Sequence, residues 1–260
     1  MRTAVLIWTA PGMGEQEFYD RFYDAEAERI FGSPLYLRLL ARHVQFLTRV
    51  TCGAAARRVL SLGCGDGRRE LMMADRVQNM VGLDLSPIAI DSAQRAARRR
   101  GIANIDFRAG DATCLPADLG SFSAIWCPGV LHHLNQAAIA GAIAGAVALL
   151  EPGGVFVSID PNARRFVNHL RFVFRERYRR YHSEGERELD PRKVRSHLLA
   201  AGLVSVELHY LDWFISPLAW ALPRATAPVA TWLDRADRLL LSRPSIATYA
   251  SGFAVVGRKP

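Results

Sequence analysis

The sequence predicts an α/β protein: a three-layer sandwich around a mostly parallel, seven-stranded sheet, with an N-terminal helical lid and C-terminal insertions. Three observations carry that prediction. A short apolar run, Val59-Leu60-Ser61-Leu62, breaks into three alternate glycines, Gly63, Gly65 and Gly67. A second apolar run ends on an acid, Asp84, seventeen residues past Gly67. Further short apolar runs then alternate with helical segments of about a dozen residues, the pattern of βαβ units.

Taken in order, residues 1–50 read as a helical cap. Phe18, Tyr19, Phe22, Tyr23 and Phe31 precede the run Leu35-Tyr36-Leu37-Arg38-Leu39-Leu40 at helical spacing. Such helices would close over a ligand, with Tyr19 and Tyr23 as candidate substrate contacts, although packing is the commoner use of such rings. Residues 51–260 form the main domain. In its first turn, glycine accepts positive φ and lets a ligand lie against bare backbone. Strand, glycine turn and helix together make a nucleotide-cofactor cradle. The second strand, Met80 to Leu85, places Asp84 to bind ribose hydroxyls. Ser86 caps the next helix, with Pro87 in its first turn and Gly101 past its end. The third strand, Ile105–Ala109, leads into Gly110-Asp111-Ala112, and the fourth, Phe122–Cys127, into Leu131-His132-His133-Leu134. Ala137 to Leu150 is too short to span a bilayer and reads as a buried crossover helix. The fifth strand, Val155–Asp160, follows the turn Glu151-Pro152-Gly153-Gly154. A helix from Asp190-Pro191 to Gly202, a sixth strand at Val204–Leu208 and a last strand at Tyr249–Val256 complete the domain.

Two segments stand apart. Within residues 161–190, the stretch Arg164–Tyr181 holds seven arginines against one acid, Glu176, and much of the net charge of +8 lies there. Phe166, Leu170, Val173, Phe174, Tyr178 and Tyr181 make an apolar stripe along it. A basic lid helix with solvated arginines is one reading. An anionic group is the other, on the acceptor or on a membrane surface, met by residues such as Arg175 and Arg179. Residues 213–244 carry Trp213, Phe214, Trp220 and Trp232, interrupted by Pro217, Pro223 and Pro228. They read as short helices over a core face, as an apolar wall of the substrate pocket, or as a patch on a membrane surface.

The dinucleotide fingerprint requires a glycine at position 68, where Arg68 stands. Instead LGCGDG, GLDLS, GDA, FSAIWCPGVLHHL and LLEPGGVFVSID, in order over residues 55–162, resemble the class I S-adenosylmethionine-dependent methyltransferases, a Rossmann-like superfamily. That resemblance implies S-adenosyl-L-methionine as cofactor. Gly63, Cys64, Gly65 and Asp66 would meet its methionine moiety, and Cys127 would meet the same end through its carbonyl. Asp84 would take the ribose hydroxyls, and Leu85 would lie against the adenine face. Asp111 would accept from the adenine amine, with Ala112 offering its backbone N–H. One position departs from the family pattern: the acid two residues before the first glycine is here Ser61, which shifts its task toward Asp66 or Glu70.

A sulfonium methyl moves by direct displacement, so alignment and exclusion of water supply much of the acceleration. A hydroxyl acceptor also gains from a general base. The candidates are His132 and His133 beyond strand four, Asp160 at the tip of strand five, and His182 and Glu184 in the loop after the basic segment. No metal is expected, because no Cys, His and carboxylate group shows ligand spacing. The four cysteines suggest reduced thiols in a cytoplasmic enzyme, and the apolar opening Ala4–Trp8 is too short for a signal peptide. The motifs of base-modifying enzymes are absent after strand four, where Cys127-Pro128-Gly129-Val130 stands, so nucleic acid is the less favoured acceptor. A small molecule, apolar, lipid-linked or phosphate-bearing, is expected. A protein or RNA acceptor docked on the basic helix, or a non-catalytic cofactor-binding partner, are the alternatives. The sequence sets no oligomeric state.

Overall fold

The computed structural model describes residues 14–51, 56–166, 168 and 186–260 of the chain. Its elements, in chain order, begin with α1 (Glu15–Ala25), α2 (Ala27–Phe31), α3 (Pro34–Thr51), β1 (Ala56–Leu62), α4 (Arg68–Leu71), β2 (Val77–Asp84), α5 (Pro87–Arg99) and β3 (Ile105–Ala109). They continue with β4 (Phe122–Pro128), α6 (Gln136–Ala148), β5 (Leu150–Pro161), α7 (Pro191–Ala200), β6 (Val204–Asp212), α8 (Ile215–Ala221), α9 (Ala227–Leu241), α10 (Pro244–Ala247) and β7 (Gly252–Arg258). The seven strands form one sheet in the order β3-β2-β1-β4-β5-β7-β6. Only β7 runs antiparallel to its neighbours.

The central strands are apolar on both faces, as parallel strands between two helical layers must be. Val59, Trp126 and Val157 face one core with Ile90, Ala93 and Ala97 of α5 and Phe46 and Leu47 of α3. Their neighbours Leu60, Ile125 and Phe156 face the other, with Ile139 and Ile143 of α6 and Val194 and Leu198 of α7. The helix starts follow local chemistry. Ser86 accepts a hydrogen bond from the Ala89 amide with Pro87 behind it, and Asn135 caps α6 through the Ala138 amide. Chain order reverses between β1 and β4, which opens a crevice at the carboxyl ends of the strands.

Several expectations need correction. The helix after the glycine turn is a single turn, Arg68–Leu71. β5 starts at Leu150, which pairs with Phe122 before the register shifts over Glu151–Gly154. β6 runs on to Asp212, and β7 lies later than expected, because Tyr249 to Ser251 close a turn and Gly257 and Arg258 pair with Phe156 and Val155. The crossover helix α6 buries one face only; Ala137, Ala140 and Ala144 are exposed. The 213–244 insertion forms two helices, α8 and α9, and packs on α3: Ile215, Ala219, Ala230 and Leu233 meet Leu35 and Leu39. Arg42 of α3 fastens it, donating to Asp237 and to the Leu211 carbonyl at 2.8 Å each and pairing with Asp234. Trp232 is 67% exposed on α9. Among the described residues no helix is long and apolar enough to cross a membrane.

Candidate active site

A cavity of about 390 Å³ opens at the crevice between β1 and β4. Its floor is the turn after β1. Gly63, Gly65 and Gly67 all take positive φ there (68°, 55° and 73°). The Gly63 and Cys64 amides donate to the Leu83 carbonyl at 2.8 and 3.0 Å, tying the turn to β2. Asp84, at the end of β2, accepts from the Gly65 amide at 2.7 Å and the Ser86 amide at 3.0 Å. Burial raises its pKa even so. Asp66 and Cys64 line the cavity; Asp66 accepts from Arg68 at 2.6 Å, which reaches on to Glu28 of α2.

An acid of α4 stands behind Ser61 of β1. Ser61 donates to Glu70 Oε1 at 2.7 Å, with both residues fully buried. Glu70 Oε2 has no hydrogen-bond partner among the described residues, nor has Nε of Arg69, whose side chain lines the cavity. Burial raises the Glu70 pKa against the pull of Arg69 and Ser61.

The roof is α1. Its residues Glu15, Tyr19 and Phe22, spaced at three and four, share one face, and Tyr23 lies beside them. A Cβ on Gly65 would overlap the Tyr23 hydroxyl, and Asp20 accepts from the Ser86 hydroxyl. Phe22, Phe31, Tyr36 and Trp220 continue the wall as an aromatic cluster, with Phe214 and Leu218 of the insertion beside it.

The reaction end is built from the turn after β4 and the tip of β5. His132 Nδ1 lies 3.1 Å from Asp160 Oδ1. Burial holds His132 well below the usual histidine range and pushes Asp160 up to about 7. His133 lies against His132, with ring centroids 3.9 Å apart and the planes tilted by 41°. Burial opposes a charge on His133, yet Glu15 at 2.6 Å and Glu186 outweigh it and raise its pKa. The Tyr19 hydroxyl donates to Glu186 at 3.1 Å and stands 3.4 Å from His133 Nε2. Ligand atoms of His132, His133 and Glu186 lie within 4.8 Å of one another, a grouping that the sequence spacing did not reveal.

Of the expected cofactor residues, Gly63, Cys64, Gly65 and Asp66 line the cavity, whereas Asp84, Leu85, Asp111, Ala112 and Cys127 do not. Asp84 and Asp111 stand at adjacent strand ends, where the Gly110 amide donates to the Asp84 carbonyl at 2.9 Å. Asp111 folds back on the Thr113 amide and hydroxyl at 2.8 Å each. Leu85 is exposed and Cys127 is buried at the end of β4. His182, Glu184, Arg175 and Arg179 lie outside the described residues. Arg165, second in the basic run, is buried and paired with Glu188 and Asn168, so neither a solvated lid nor an open anion contact describes it. Glu15, Glu186 and Asp212 line up here without having been singled out in the sequence. Asp212 would follow from the rule that sites gather at carboxyl strand ends, had β6 been read to its full length.

A family model described as a methyltransferase domain matches residues 59–154. The uncharacterized methyltransferase YcgJ of Bacillus subtilis is 31% identical over 122 residues, 45% of this chain and 47% of that protein. A ubiquinone biosynthesis O-methyltransferase of Ralstonia nicotianae is 32% identical over 120 residues, 45% of this chain and 49% of that one. The chain thus spans about half the length of the curated relatives it matches. Among solved structures, the N-methyltransferase NodS of Bradyrhizobium japonicum, in complex with S-adenosyl-L-homocysteine, superposes with a TM-score of 0.63 at 18% identity, covering 94% of this chain and 98% of that one. The match over residues 59–154, the motifs in register and the sheet order support a class I S-adenosylmethionine-dependent methyltransferase. The site fits the cofactor of that class: Gly63 and Gly65 bring bare backbone to the cavity, where a Cβ would collide with Val130 or Tyr23, and the orphaned Arg69 Nε and Glu70 Oε2 beside the turn suit a zwitterionic tail.

Proposed function

We propose that this chain methylates a hydroxyl group on a small, apolar, ring-bearing acceptor. The observation that carries the reading is one cavity with the glycine turn at its floor, a His132–Asp160 pair at its reaction end and aromatic walls between. S-adenosylmethionine, when bound, supplies an electrophilic methyl group for direct displacement. Gly63 to Asp66 would hold its amino-acid end, with Arg69 and Glu70 near the tail, while Asp84, Leu85, Asp111, Ala112 and Cys127 would serve the rest.

The chain's own residues do the remaining work. Burial keeps His132 neutral. An ionised Asp160 accepts the Nδ1 proton of His132, which fixes the tautomer and leaves Nε2 to take a proton from the acceptor hydroxyl. His133, its pKa raised by Glu15 and Glu186, anchors the roof helix through Glu15. Asp160, Glu15 and Tyr19 already engage the groups of the His132, His133 and Glu186 cluster, so it acts as a proton network rather than a cation cage. The rings of Phe22, Phe31, Tyr36 and Trp220 favour a flat, apolar acceptor and exclude water. The relative that methylates within ubiquinone biosynthesis supports an acceptor of that kind, and the aromatic wall supports a small molecule over a protein or RNA. A location in the cytoplasm agrees with this reading.

The test is transfer from isotope-labelled cofactor to a panel of alkyl-substituted catechols and quinols, with amines and bulk protein as comparisons. The expected result is labelled ether in the hydroxylated set, with kcat lowered about 10²–10⁴-fold by His132→Ala. Label found only on amines or protein, or His132→Ala at full rate, would overturn it.

A further inference from the structure

We propose that Asp212 is a distal anchor for the acceptor: its unpaired carboxyl oxygen takes a hydrogen bond from a hydroxyl or N–H remote from the methylated atom, so the cavity selects acceptors with donor groups at both ends. This rests on the small-acceptor reading above and sharpens it.

Asp212 ends β6 and is 1% exposed, yet it lines the cavity. Its Oδ1 accepts from the Ser216 amide at 2.9 Å, and its main-chain oxygen from the Ser251 amide at 2.6 Å. Oδ2 has no hydrogen-bond partner among the described residues. The acids around it are satisfied: Asp237 by Arg42 and the Phe214 amide, Asp234 by Arg42 and Arg238. Arg42 itself is committed to those two acids and to the Leu211 carbonyl. The structure also keeps a space for Oδ2, since a Cβ at position 252 would overlap it and the residue there is Gly252. Nearby, Phe214, Leu218 and Ile159 offer no side-chain donor; Ser216 and Arg165 also line the cavity, but neither is hydrogen-bonded to Oδ2, and Arg165 is paired with Glu188 and Asn168. A buried acceptor left unpaired is costly. The donor therefore has to come from what enters the cavity.

The spacing follows from the sheet. Gly252 of β7 pairs with Pro161 on one side and Asp212 on the other. Asp212 thus lies two strand spacings from the tip of β5, roughly 10 Å from the reaction end. An acceptor held at both places carries one polar group near His132 and another across an apolar ring.

Two probes separate this from a purely structural role: 2,6-dihydroxynaphthalene, with donors at both ends, and 2-naphthol, with one. Both are titrated into protein saturated with S-adenosylhomocysteine, following tryptophan fluorescence, since Trp220 lines the cavity. The wild type should bind the diol about tenfold more tightly. Asp212→Asn, which keeps an oxygen for the Ser216 amide, and Asp212→Leu should bring the ratio near one, with unchanged circular dichroism and S-adenosylhomocysteine affinity. A wild-type ratio near one, a diol that does not bind, or a ratio that survives in both variants overturns the proposal. Should a variant fail to fold, the wild-type ratio decides alone. These readouts need no turnover, so failed methyl transfer with the discrimination intact would count against the transfer reading and leave Asp212 as an anchor.

Discussion

Replacing Gly65 by alanine separates two demands on the glycine turn. Gly65 has a φ of 55°, a left-handed conformation that costs an L-residue about 1–2 kcal/mol. An added Cβ would also overlap the Tyr23 hydroxyl and come within 3.2 Å of Tyr23 Cζ. Tyr23 is held among Tyr19, Phe22 and Phe31, so it cannot swing aside freely, and overpacking of this kind costs about 1–3 kcal/mol. The sum, about 2–5 kcal/mol, should lower Tm by roughly 2–4 °C for each kcal/mol. Tyr23→Phe removes the overlapping oxygen, whose hydroxyl has no hydrogen-bond partner among the described residues. Alone it should be close to neutral; in the Gly65→Ala background it should return most of the overlap share and leave the φ share. Thermal melts and calorimetric titration with S-adenosylhomocysteine on the four proteins measure both. Affinity should follow the same order, because the Gly65 amide holds Asp84. A Gly65→Ala protein as stable as the wild type, or no recovery on adding Tyr23→Phe, refutes the reasoning.

Two further outcomes follow from buried acids. Ser61→Asp sets a second carboxylate against Glu70 and should lower both Tm and cofactor affinity, while Ser61→Asp with Glu70→Ser should recover much of the loss; a stable single variant would show that the two positions do not share one site. Asp160 and Asp212 are both raised by burial to about 7, so the folded state favours their protons. The stability this adds is full below about pH 4, where the unfolded carboxyls are also protonated, and is lost as pH rises through about 7. His132, held low, works in the opposite sense below its unfolded value of about 6.5, and it is common to wild type and variant. Denaturant melts from about pH 5 to about 7.5 should therefore show a smaller decline, or a steeper rise, for Asp160→Asn with Asp212→Asn than for wild type; identical slopes would contradict the burial argument.

The sheet was legible where the information was local. Alternate glycines, the acid at the end of β2 and the Ser86-Pro87 helix start each depend on neighbours a few residues away. Strand limits were less so. β7 runs on to Gly257 and Arg258 because β5 pairs with them, and nothing in their own composition announces a strand. At the reaction end, His132, His133 and Asp160 follow from strand ends, but their partners come from far off: Tyr19 meets Glu186 across 167 positions. In the polar loop after the basic run, His182 and Glu184 look as suitable as Glu186, and only the roof helix distinguishes it. The acid near Ser61 was half legible: Ser61 marks what is missing from the family pattern, while the fold places Glu70 behind it.

The roof helix joins two ends of the site in a single rigid rod. Eleven residues of helix span roughly 16 Å, and along that length α1 holds His133 through Glu15, Glu186 through Tyr19, and the glycine turn and Ser86 through Tyr23 and Asp20. A movement that uncovers the turn also parts Glu15 from His133. Were the rod to lift, His133 would lose the carboxylate that favours its proton, whereas burial already keeps His132 neutral.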